Sequence, residues 1–297
     1  MYIYTDSFTY NKKDSDYEVL ERLNKFTELT RKIGGQFRED NKFYANYNEL
    51  NETKIFSDGT TFSNILYGNC SSNYELQQAF LLIMYSGYLE PTELPAHEID
   101  NLLTKKSEDC CYAKIVLSKE NVYSDSNCIV ATYEDWSLYR SDLLGKFPGT
   151  CSIFFQECER YYENLVISKD LQSNSKQVLE THSVQICHIL YCINTYMLTE
   201  FSEFKGSNID FPHYFAKKYD IEDGSFQGDG KTKHKYLTMN FPEGKKICEA
   251  HFKCNSINGV KKFNDVRDYC RVYFSIPKEG DTKIYIGAIL NHTKQCN

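Results

Sequence analysis

The chain has one tryptophan, four methionines and six prolines in 297 residues, and no apolar run long enough to cross a bilayer. Its longest apolar stretch, 184–198, is too short and too interrupted to span about 30 Å of hydrocarbon. The opening Met1-Tyr-Ile-Tyr-Thr-Asp-Ser lacks the basic and apolar regions of a secretion signal, so a cytosolic protein is expected. No two of the twelve cysteines are spaced CxxC, and in a reducing compartment they are read as free thiols rather than a disulfide framework. Neither GxGxxG nor the P-loop pattern occurs, which excludes the two most recognisable phosphate-binding loops. The Gly/Asp-rich tract 206–230 lacks the ligand order of an EF-hand and reads as a linker. His188 and Cys192 stand one helical turn apart as half of a zinc site, but no second half is in view. No metal and no cofactor is therefore expected.

What is present points to a globular chain with a sizeable core: 41% of residues are apolar and 15% aromatic, with 24 Tyr and 19 Phe. The net charge of −7 hides an imbalance. Residues 231–297 carry 13 Lys+Arg against 6 Asp+Glu, a net of +7, which leaves −14 for residues 1–230. A basic end on an acidic body suits a polyanion at one end and a protein partner docking on the other, and equally a simple attraction between the two halves.

Along the chain, a strand-like piece at 2–4 precedes a helix from Tyr17, where Val19, Leu20, Leu23, Phe26, Leu29 and Ile33 recur at helical spacing and Gly34 and Gly35 supply a stop. Residues 36–69 read as irregular with one or two short strands. A helix is expected at 72–85, short strands at 112–117 and 128–133, helices at 134–144 and 152–164, where the run Ile153-Phe154-Phe155 also fits a strand, and a long buried helix at 175–204. The expectation is an α+β chain: an acidic body over 1–204, a linker over 205–230, and a basic antiparallel-sheet module over 231–297.

Three C-terminal runs alternate with period two. Cys248, Ala250, Phe252 and Cys254 oppose Glu249, His251 and Lys253; Cys270, Val272, Phe274 and Ile276 oppose Arg271, Tyr273 and Ser275; Ile284, Ile286, Ala288 and Leu290 oppose Lys283, Tyr285 and Gly287. With their apolar sides on one core, the three strands gather an acid, an imidazole, three cations and two phenols on a single solvated face. That inventory suits phosphate, although such residues are also ordinary occupants of a solvated sheet face.

The sequence Arg271-Val-Tyr273-Phe274 followed by Ile284-Tyr285-Ile286-Gly287-x-Ile289-x-x-His292, in a small basic sheet, resembles the RelE/HigB-like mRNA interferase toxins. The resemblance covers 231–297 only. It implies metal-independent RNA cleavage, often on the ribosome, by an effector of a bacterial anti-phage or toxin–antitoxin system. The catalytic positions it implies are His251, Lys253, Arg271, Tyr273 and His292, with Lys233, Lys235, Lys283 and Tyr285 holding RNA. Such chemistry needs a base for the 2′-OH, an acid for the leaving oxygen and cations for the phosphorane. His251 or Glu249 suits the base, Arg271 with Lys253 the phosphate, and His292 or Tyr273 the acid. Two other readings stand beside it: a non-catalytic nucleic-acid or protein-binding subunit, and a metal-dependent nuclease, for which the C-terminal segment offers too few carboxylates.

Overall fold

The computed structural model describes residues 1–37, 41–68, 74–85, 89–103, 111–119, 127–169, 171, 175–226, 237–254, 256–257, 260–261 and 269–291. The chain divides into two compact units, Met1–Tyr139 and Arg140–Asn297.

In the first unit, strands and helices alternate. Strand β1 (Tyr2–Ile3) leads to α1 (Asp16–Gln36), and β2 (Phe43–Ala45) to α2 (Tyr47–Glu52), α3 (Phe62–Tyr67) and α4 (Tyr74–Tyr85). Strand β3 (Leu89–Pro91) is followed by α5 (Ala96–Leu103), then β4 (Lys114–Ile115), β5 (Ile129–Val130) and α6 (Tyr133–Lys146), which runs past the unit's end at Tyr139. Crossovers of this length return each strand in the same direction, and every pairing in the sheet is parallel. The strand order is β3-β2-β1-β4-β5. The chain therefore winds outward from β1 to one edge, comes back, and continues from β4 to the other.

Helix α1 begins where Ser15 and Glu18 form a capping box, which satisfies two of the free N–H groups at a helix start. It buries Val19, Leu23, Phe26, Leu29 and Ile33 as the spacing predicts. Gly34 and Gly35 do not stop it, and the helix continues to Gln36. The stretch expected as irregular holds β2 and two short helices, started by the side chains of Asn46 and Thr61. At six residues each, those helices are too short to display a period.

The second unit holds α7 (Cys151–Tyr161), β6 (Leu165–Ile167), α8 (Lys176–Glu203), α9 (Phe211–Lys218) and β7 (Asp223–Phe226). The hairpin β8 (Thr238–Phe241) and β9 (Gly244–Ile247) comes next, then β10 (Ala250–Cys254), the small pair β11 (Ser256–Ile257) and β12 (Val260–Lys261), β13 (Cys270–Phe274) and β14 (Ile284–Asn291). The main sheet runs β6-β14-β13-β10-β7, antiparallel throughout except that β6 lies parallel to β14. With a parallel α/β unit followed by this C-terminal antiparallel sheet, the chain is α+β.

The stretch 205–230, expected as a linker, contributes α9 and β7, and β6 and α8 enter the same unit from the 1–204 side. Helix α8 is broken locally at His182 (φ −131°, ψ 15°). Helices α8 and α9 cover one face of the sheet, where Phe215 stacks on Phe252 with centroids 5.5 Å apart. A Cβ at Gly224 would fall 2.0 Å from the Pro212 carbonyl oxygen, so only glycine lets α9 lie this close to β7.

Candidate functional site

The register of β10 on β13 pairs His251 with Tyr273 and Lys253 with Arg271, and it pairs Ala250 with Phe274 and Phe252 with Val272. The first four side chains share one face and the second four the other, as the alternation predicts. Strand β14 departs from it. Tyr273 opposes Ala288 whereas Phe274 opposes Ile286, so Gly287 is an extra, bulged residue. The bulge turns Ala288 and Leu290 to the Tyr273 side, where they cluster with Leu237, Phe241 and Cys248. Cys248 also falls there because it precedes β10 and does not follow its alternation.

The expectation of a solvated polar face is corrected. His251 is 3% exposed, Tyr273 is fully buried and Arg271 is 8% exposed. The β8–β9 hairpin supplies a second layer: Phe241 meets the Tyr285 ring edge-on at 5.0 Å, and Met239 packs on the same cluster. Burial, reinforced by the Arg271 charge, pushes the His251 pKa down to about 4, so the ring is neutral at physiological pH, the nearby Glu249 backbone offsetting only part of this. Arg271 donates to the Tyr273 hydroxyl at 3.4 Å. Lys253 is paired with Asp223 on β7 at 2.5 Å, and Asp223 also meets His213 at 3.4 Å. Lys283 turns to the Glu163 carbonyl, and Lys246 lies 4.5 Å from the centroid of the half-buried Tyr285 ring. Lys233, Lys235 and His292 lie outside the described residues. The half zinc pair brings Cys192 to 3.8 Å from His188 Nε2, and that nitrogen also meets the Tyr219 carbonyl at 3.0 Å.

A second constellation, not anticipated from the sequence, lies in the first unit. In open parallel sheets wound in both directions, ligands sit beyond the carboxyl ends of the strands where the winding reverses, because the loops diverge there and leave a crevice. In the first unit that point lies between β1 and β4. The backbone N–H of Tyr4, just past β1, donates to the Ile115 carbonyl of β4 at 3.0 Å. Tyr4 is half-buried, and the exposed carboxylate of Asp6, two residues on, is close enough to act on its phenol. Burial first, then the negative charges of Asp6 and Asp100, push the Tyr4 pKa up to about 12, so it stays a protonated donor.

Lys114, on β4 and only 1% exposed, pairs with Asp100 of α5, and its ammonium sits 4.1 Å above the Tyr4 ring centroid. Glu49 of α2 accepts from the Thr5 hydroxyl at 3.0 Å and from the Ala96 N–H at 3.1 Å. It thereby ties the turn after β1 to the first turn of α5, one helical turn before Asp100. Asp6 and Asp100 thus lie beside the Tyr4–Lys114 pair, and Glu49 braces the two segments that carry them. Among the described residues, no three His, Cys, Asp or Glu side chains converge as ligands of one ion.

No protein-family model matches the chain, and no curated protein or solved structure matches it significantly. Among the described residues, no helix is long and apolar enough to cross a membrane. Asp6, Glu49 and Asp100 carry no motif spacing that would have singled them out. The available signal is the repeated strand–helix alternation over 1–139, with an acid placed soon after a strand.

Proposed function

We propose that the chain is a divalent-cation-dependent phosphodiesterase that cleaves RNA at the crevice between β1 and β4. The observation that carries this reading is that Asp100, paired with the buried Lys114 over the Tyr4 ring, and Asp6, in the turn just past Tyr4, come from separate elements at the reversal of a parallel sheet. The turn after β1 is Thr5-Asp6-Ser7-Phe8, a short 3-10 helix without glycine, so its backbone offers no N–H cradle for phosphate. The surrounding charge also disfavours phosphate binding alone: residues 1–139 hold 13 Lys+Arg against 22 Asp+Glu, a net of −9. Phosphate approaches such a crevice when a cation lies between.

A magnesium-type ion needs only one or two carboxylates, completing its shell with waters and substrate oxygens, and it supplies charge neutralisation and an acidified water. Asp6 and Asp100 are the residues suited to hold it. Lys114 orients Asp100, Glu49 fixes the turn that carries Asp6, and the protonated Tyr4 remains a hydrogen-bond donor. A nucleic acid is the favoured polymer because residues 231–297 carry a net +7, and RNA is the one that the sequence resemblance of this segment implies. An RNA-cleaving effector of a bacterial defence or toxin–antitoxin system would act in the cytosol.

The test is cleavage of end-labelled RNA by the full chain in magnesium or manganese, with and without chelator. Asp6→Asn and Asp100→Asn each lower the rate on the order of 10²-fold or more at unchanged thermal stability. Cleavage that continues in chelator, or that Asp6→Asn leaves at the wild-type rate, would overturn the proposal.

A further inference from the structure

Arg271 is a buried cation to which no carboxylate is paired among the described residues. Among the described residues its one hydrogen bond goes to the Tyr273 hydroxyl, at 3.4 Å, and its Nε is buried without a partner. Asp223, which follows Lys253 across the ladder from Arg271, is taken up by Lys253 at 2.5 Å, by the Gly224 N–H at 2.8 Å and by His213 at 3.4 Å. His251 lies diagonally across the ladder from Arg271, its ring 4.9 Å from that of Tyr273, and both its ring nitrogens are buried without a well-formed hydrogen bond. A guanidinium removed from water and left without an anion is strongly disfavoured, and two unsatisfied imidazole nitrogens beside it add to the cost. Groups of this kind are retained when something else completes them.

We infer that Arg271, His251 and Tyr273 form an internal binding site for a small tetrahedral oxyanion of the phosphate class. The planar fork of Arg271 offers two parallel N–H donors to such an anion. His251 presents one N–H when neutral, and the Tyr273 hydroxyl already bonded to Arg271 lies on the same side. The low exposure of all three excludes a polymer strand and restricts the ligand to an ion or the end of a small phosphate monoester. This site is separate from the crevice of the first unit, so its failure and the failure of the proposed cleavage are distinguishable.

The experiment is isothermal titration of the full chain with inorganic phosphate and, separately, with a nucleoside 5′-monophosphate, each against chloride at matched ionic strength. Thermal melting is followed in parallel. Saturable binding of either ligand, with a melting temperature that climbs with its concentration, is the expected result. Binding of phosphate alone identifies the free ion, and binding of the mononucleotide alone identifies the monoester. Arg271→Gln weakens the interaction at least about tenfold, as expected when a charge-assisted hydrogen bond is lost. His251→Phe preserves ring volume beside Tyr273 and reports on the same site if Arg271→Gln does not fold, with weakening of several-fold. No saturable binding of either ligand by the wild type, or undiminished binding by the folded variants, would overturn the assignment.

Discussion

The Lys114 ammonium lies over the Tyr4 ring, 4.1 Å from its centroid, and pairs with Asp100, whose side chain is 52% exposed. A strand position that would ordinarily hold an aliphatic side chain in a parallel sheet is thus given to a cation whose partner stays wet. Because Asp100 keeps its water, removing the ammonium strands no buried charge. Lys114→Met, which fills the same channel, should change unfolding free energy by no more than about 1 kcal/mol, yet cleavage should fall because Asp100 loses its orienting partner. Lys114→Ala leaves a cavity and should cost about 2–4 kcal/mol. Urea midpoints separate the two, and a methionine variant as unstable as the alanine variant would mean that the ammonium itself holds the sheet.

Gly287 is required by what faces it. A Cβ there would stand 2.6 Å from the Cys248 sulfur, 2.8 Å from its Cβ and 2.9 Å from Met239 Cγ. Gly287→Ala should destabilise by about 1–3 kcal/mol through overpacking. Adding Cys248→Ala should recover part of that loss, a non-additivity readable in a double-mutant cycle of chemical denaturation. A strictly additive pair would locate the strain elsewhere.

Gly224 faces a harder neighbour. The atom that an added Cβ meets at 2.0 Å belongs to the Pro212 backbone, which cannot rotate away as a side chain can. Gly224→Ala should therefore cost more than Gly287→Ala, and it should loosen α9 selectively. Hydrogen exchange would show the α9 amides losing protection ahead of those in β13 and β14. Uniform loss across the sheet would contradict a local cause.

Helices with a full apolar stripe, such as α1, and the sidedness of β10 and β13 were legible in the sequence, because their periods run over enough residues to be counted. The short strands β1, β4 and β5 fall within runs that the sequence marks as strands, but the order in which parallel strands pair is set by contacts between segments tens of residues apart and is not marked. Asp6, Glu49 and Asp100 come to the same end of the sheet only through that order. In the C-terminal segment, alternation told which side His251 and Arg271 take, and it held until Gly287 inserted its bulge. Whether a second layer covers that side depends on the hairpin 238–247, whose own alternation does not state where it will pack.

Glu200 provides a stability test with a defined pH window. Its carboxylate accepts from Lys218 at 2.7 Å, from the Tyr219 hydroxyl at 2.7 Å and from the Tyr214 hydroxyl at 2.9 Å, fastening α9 to the end of α8. Burial works to raise its pKa, but the bonds from Lys218, Tyr219 and Tyr214 outweigh it, and the net shift is downward from the ordinary 4.5. A folded-state pKa below the unfolded one means that the native state binds protons less readily. The contribution is then complete above the unfolded value and drains away as pH falls through the folded one. Glu200→Gln should cost about 1–3 kcal/mol at neutral pH, since three donors lose an ionised acceptor. The gap between wild type and variant in urea midpoint should stay constant down to about pH 5 and close progressively below it. A gap that persists undiminished at about pH 3 would show that the glutamine fails for steric reasons, and that the charge of Glu200 is not what holds α9 in place.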